Sequence, residues 1–126
     1  LLNELKEVLE QVKTELNLQI VCYGGIKEKD IPDEWNYIVF EREKASKAGT
    51  SQCDFNIFYM VHIVHENYVP EGYEFWLINQ VLKNTRLKLA QGDIRYDHIM
   101  KNNTDIVIEM ATITFTLPQK GCVALG

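Results

Sequence analysis

In LLNELKEVLEQVKTELN, at the start of the chain, Leu2, Leu5, Val8, Leu9, Val12 and Leu16 fall within an arc of roughly 120° at helical spacing. Glu4, Glu7, Glu10 and Lys13 lie off that arc, so the pattern predicts a one-sided helix resting on something apolar. LQIVCYGG then reads as a short β-branched strand stopped by Gly24 and Gly25. KEKDIPDE reads as a polar link in which Pro32 discourages regular structure. WNYIVFERE alternates, with Ile38 and Phe40 on one face and Tyr37, Val39 and Glu41 on the other, which predicts a strand. KASKAGTSQ breaks the alternation with small, polar and basic residues. It predicts a long mobile hairpin loop over 44–52, in which Lys44, Ser46, Lys47 and Thr50 are candidate partner contacts.

In the next stretch, CDFNIFYMVHIVHENYVPEG, Cys53, Phe55, Ile57, Tyr59, Val61 and Ile63 share one face of a long strand, and Asp54, Asn56, Met60, His62, Val64 and Glu66 share the other. The period changes in NYVPEGYEFWLINQVLKNT, where Pro70 and Glu71 suit a first turn and Phe75, Ile78, Val81 and Leu82 form a helical face. Tyr73 and Trp76 are left on other sides of this helix. They are candidates for a contact between subunits, the competing account being that the 87–92 segment folds over Trp76. LKLAQGD reads as a loop, IRYDHIM as a strand and KNNT as a hairpin turn. The last strand, DIVIEMATITFTLPQ, shifts its apolar phase from even positions (Ile106, Ile108, Met110) to odd ones (Ala111, Ile113, Phe115, Leu117). A β-bulge or burial on both faces produces such a shift, and Pro118 is expected to end the pairing. Together these elements predict one α+β domain over 1–126, a mainly antiparallel β-sheet with two α-helices packed on it.

Composition narrows the function classes. A chain of 126 residues suffices for one core. The formal net charge of −5, with Lys and Arg scattered, argues against a phosphate-tracking face, so no specific nucleic-acid binding is expected. The 1–16 segment carries charge throughout, unlike a signal peptide, and no apolar run approaches the ~20 residues of a membrane helix. Cys22, Cys53 and Cys122 are widely spaced and form no CxxC pair, which reads as reduced thiols in a cytoplasm.

The one constellation with metal-like spacing is His62-Ile-Val-His65-Glu66. A metal needs both imidazoles at about 2.0–2.1 Å, which an i, i+3 pair achieves on a helix; on a regular strand the two rings point to opposite sides. A Cys53–His62 nucleophilic dyad fails on distance, at roughly 30 Å along one strand. No catalytic residue, metal site or cofactor is therefore assigned.

The order of elements, and locally YIVFERE, CDFNIFYMVHIVHENYVPEG and IVIEMATITFTLPQK, resembles the tail-terminator or minor capsid proteins of long-tailed phages and prophages. The resemblance implies a non-enzymatic head-tail joining protein that forms a homo-oligomeric ring on the tail tube, stops its growth and offers a docking surface to the head connector. Its partners would be further copies of itself, the tail-tube protein and the head-connector protein. It would be located in the bacterial host cytoplasm during assembly and later in the virion tail or neck. The alternatives are another neck or tail-tube component, or a small-ligand-binding module or enzyme.

Overall fold

Helix α1 (Leu2–Glu15) buries Leu5, Val8, Leu9 and Val12, the stripe that its spacing predicts. In the computed structural model, which describes residues 1–50, 52–90 and 92–122, five more regular elements lead up to the last hairpin. They are β1 (Val21–Tyr23), β2 (Tyr37–Lys47), β3 (Phe55–Glu66), α2 (Tyr73–Asn84) and a two-residue strand, β4 (Lys88–Leu89). β5 (Arg95–Met100) and β6 (Val107–Gln119) form that hairpin, and a single 3-10 turn at Glu28–Asp30 occupies the link around Pro32. The sheet runs β1-β2-β3-β6-β4, and β5 also pairs with β6. Among the described residues only the β1–β2 pairing is parallel. This is the expected α+β arrangement.

Strand alternation sorts the sheet into two unequal faces. Ile38, Phe40, Tyr59, Val61, Ile63, Ala111, Ile113 and Phe115 point toward the helices and join the α1 stripe, Leu77 and Val81 in one core. Behind the sheet a smaller cluster of Tyr37, Val64 and Ile108 gathers Trp35, Val39, Ile106 and Met110 around it. The phase shift in β6 is explained by these two clusters. Its register against β3 runs unbroken from Ile108 to Gln119, so the two apolar phases serve two buried faces and no bulge is needed.

Four other expectations are corrected. The 44–52 loop is shorter, because Lys44, Ala45, Ser46 and Lys47 continue β2 and pair with Phe58, Ile57, Asn56 and Phe55. The register shift that allows this lies between Arg42 and Lys44, so the bulge belongs to β2. Of the loop candidates only Thr50 lies beyond the strand, and Ser51 falls outside the described residues. Pro118 does not end the pairing, since it stands opposite Asn56. Beyond Thr116 no described strand flanks β6 on its other side, which leaves an edge where a missing N–H costs nothing. Within LKLAQGD, Lys88 and Leu89 pair with Thr116 and Phe115 instead of looping. Finally, Cys53 and Cys122 form a disulfide, with Cα atoms 4.8 Å apart, leaving Cys22 as the free thiol. The β3–β6 register sets Phe55 opposite Gln119 and so brings the residues just outside both strand ends together.

The buried face of α2 also differs from the predicted one. Leu77 and Val81 are fully buried, whereas Phe75 and Leu82 are 61% and 41% exposed. The helix presents Tyr73, Leu77, Ile78 and Val81 to the core. Phe75 is therefore one of the residues left facing solvent.

Candidate interaction surface

The histidines are separated by the sheet, as strand geometry requires. His62 lies behind it, with Nδ1 2.8 Å from Thr112 Oγ1 and Nε2 3.8 Å from Glu41. His65 is on the helix side, where Nδ1 lies 2.9 Å from the Glu66 carbonyl and the ring meets Tyr73 edge-on, with centroids 6.1 Å apart. His98 stands across Glu109 from His65 in the strand register, with its Nε2 2.8 Å from Glu109 Oε2. Among the described residues no group of three or more His, Cys, Asp and Glu side chains is placed to hold a metal ion, and no helix is long and apolar enough to cross a membrane.

A concavity lies where β3 leaves the sheet and α2 begins. Tyr68, Val69, Glu71, Gly72, Glu74, Phe75, Tyr96 and Glu109 line a groove of about 520 Å³. The local sequence builds it in three steps. The link after β3 reverses direction through Asn67 and Gly72, both at positive φ, which carries Tyr68 outward and starts α2. Val69 then anchors the link from beneath: its side chain is buried, and its N–H donates to Glu109 Oε1 at 2.9 Å. From the edge strand β5, the Tyr96 hydroxyl donates to Glu74 Oε2 at 2.9 Å. That bond provides for a carboxylate that is only 4% exposed. Burial, followed by the adjacent Glu74 carboxylate, pushes the Tyr96 phenol above its ordinary range and keeps it a proton donor.

The walls of the groove remain apolar and uncovered. Tyr68, Phe75 and Tyr96 are 64%, 61% and 44% exposed. Beyond them, β5 and the start of β6 expose Ile99, Met100 and Val107. All six residues of β5 are exposed and the strand pairs only with β6, so its outer edge is unoccupied among the described residues. Trp76, a candidate contact residue, is half-exposed on α2. Tyr73 is instead used within the chain: it packs on the core, and its hydroxyl donates to the Leu16 carbonyl at 3.1 Å.

At the far end of the sheet the β2–β3 hairpin carries Lys44 and Lys47. The Lys44 ammonium stands 5.1 Å from the centre of the Phe58 ring and 3.7 Å from Glu43 Oε1. Lys47 lies over Phe55 and donates to the Ala48 carbonyl. Ser46 is in the strand and Thr50 in the exposed turn. The Cys53–Cys122 bond and a 2.7 Å bond from the Gly121 N–H to Asp54 Oδ1 tie the end of β6 to this turn.

Tyr68, Glu74, Tyr96 and Glu109 were not among the residues singled out from the sequence. Glu109 offered a signal, since it stands in the core-facing odd phase of an otherwise apolar strand, where a carboxylate needs partners. No family model matches this chain, and no curated protein sequence matches it.

Proposed function

We propose that this protein is a structural component of the head-tail junction of a phage or prophage, a tail terminator that caps the tail tube as a homo-oligomeric ring. Its partners in this reading are further copies of itself, the tail-tube protein and the head-connector protein. It would be made in the host cytoplasm and end in the virion neck, with no catalytic role. The observation that supports this most is the uncovered aromatic end of the molecule, where Tyr68, Phe75 and Tyr96 stand beside an unpaired edge strand. A protein that works alone rarely leaves so much aromatic surface beside an open edge. The order of elements and the α+β fold agree with the sequence resemblance, which supplies the specific assignment. Electron microscopy of the purified protein, combined with its mass in solution, tests the reading. Closed rings of one size are expected. Tubes of indefinite length would reassign the chain to the tube itself, and monomers at every concentration would remove the ring.

A further inference from the structure

The two ends of the sheet carry opposite chemistry. At one end the groove combines three aromatic walls with Glu71, Glu74 and Glu109. Carboxylates and the negative faces of aromatic rings both favour an ammonium or guanidinium group. Glu74 and Glu109 are held by Tyr96, Val69 and His98. Glu71, exposed on the rim, has no hydrogen-bond or ion-pair partner among the described residues. At the other end, the tip from 44 to 50 carries Lys44 and Lys47; the Lys44 side chain is 57% exposed with its ammonium 3.7 Å from Glu43 Oε1, and Asp54, across the turn, is held by the Gly121 N–H.

These surfaces cannot meet within one chain. The groove lies beyond Glu66 and the tip beyond Phe55, the two ends of a twelve-residue strand that spans roughly 40 Å. We infer that the lysine-bearing tip of the β2–β3 hairpin of one copy docks into the Tyr68–Phe75–Tyr96 groove of a second copy, with Lys44 and Lys47 facing Glu71 and the aromatic walls. The second copy is the occupant that these surfaces indicate, because this chain presents both complementary halves. Since the halves are different surfaces, the contact is heterologous. Each copy then offers one of each, and repetition closes into a ring when the rotation permits. The assignment rests on the ring-forming reading and gives that ring its two contact surfaces. Charge pairs at an exposed rim are screened by salt, so association weakens as ionic strength rises.

Sedimentation of four samples tests this: the wild type, a tip variant (Lys44→Ala with Lys47→Ala), a groove variant (Glu71→Ala with Phe75→Ala), and the two variants mixed in equal amounts. All the substituted side chains are exposed, and circular dichroism verifies that the variants are folded. The wild type should assemble, and each variant alone should associate about tenfold more weakly or worse. The mixture should recover one contact, because the groove variant keeps an intact tip and the tip variant an intact groove. It should therefore give a one-to-one pair and nothing larger. A wild type that assembles, with variants that assemble equally well, overturns this contact and leaves the ring reading standing. Weakened variants with no recovery on mixing overturn the tip-to-groove pairing. A wild type that stays monomeric overturns both.

Discussion

Glu66 ends β3 behind the sheet, where the Lys101 ammonium and the Trp35 N–H both donate to its Oε1. The Lys101 hydrogen bond holds this carboxyl below its ordinary range, against the opposing effect of partial burial. A carboxyl with a depressed folded pKa gives stability that is fully present above its unfolded value of about 4.3 and lost as pH falls through the folded value. Replacing Lys101 with Met should therefore lower the thermal midpoint at neutral pH and flatten its decline between roughly pH 5 and 3. An unchanged slope would mean that the pair contributes nothing. Tyr73 and Trp76 were paired as interface candidates, yet they should respond differently to substitution. Tyr73→Phe removes the bond to the Leu16 carbonyl and should cost the monomer about 1 kcal/mol in urea denaturation. Trp76, 39% exposed, should cost less on truncation to Ala than the ~3–5 kcal/mol of an enclosed aromatic site. If it also covers a subunit contact, association should weaken. A full core-sized loss of monomer stability with association intact would place Trp76 in the core instead.

At the scale of elements, α1 was legible because it has one clean apolar period and one neighbouring layer, and β3 because its core-facing alternation is sustained through Ile57, Tyr59, Val61 and Ile63. α2 was not, because Tyr73, Phe75, Trp76, Leu77, Ile78, Val81 and Leu82 surround it with apolar side chains. Periodicity then leaves several faces nearly equal, and tertiary position decides among them. Here the buried Glu74 and its Tyr96 partner fix the rotation of the first turn. The choice is measurable: Leu77→Ala should destabilise the protein by about 2–5 kcal/mol, whereas Phe75→Ala should stay within roughly 0.5 kcal/mol. Equal costs would return Phe75 to the core. The end of β2 was illegible for another reason. KASK has no apolar alternation because it is exposed there, and it is a strand only because β3 offers Phe55–Phe58 as its partner. Pairing of that kind is set by register and by a bulge, neither of which local sequence displays. The groove was partly legible, through Glu109, but it needed Tyr68, Phe75 and Tyr96 to be brought together from three separate elements.

At the scale of the whole molecule, the Cys53–Cys122 bond spans a sequence separation of 69 residues. A crosslink over so long a loop limits the unfolded chain and should contribute up to about 4 kcal/mol by loop entropy. Cys122→Ser should lower the urea midpoint accordingly, and an unchanged midpoint in non-reducing buffer would show that the bond does not form. Cys22 should be the slower thiol to alkylate in the reduced protein, since burial, followed by the nearby Asp30 and Glu10 carboxylates, pushes its pKa up. Mass spectrometry after brief iodoacetamide treatment distinguishes the three sites. The bond also turns residues 53–122, which include β3, α2 and the β5–β6 hairpin, into one covalent macrocycle, with α1, β1 and β2 outside it as a tail. A single protease cut inside the macrocycle would linearise it and release nothing until a reductant is added. A cut at the turn near Thr50 would part the tail from it, leaving only non-covalent packing to hold the two pieces together. Protein held in a reducing medium would be an open chain and become a hoop only on oxidation, so the redox history of a sample would be written in which of its fragments stay joined on a gel.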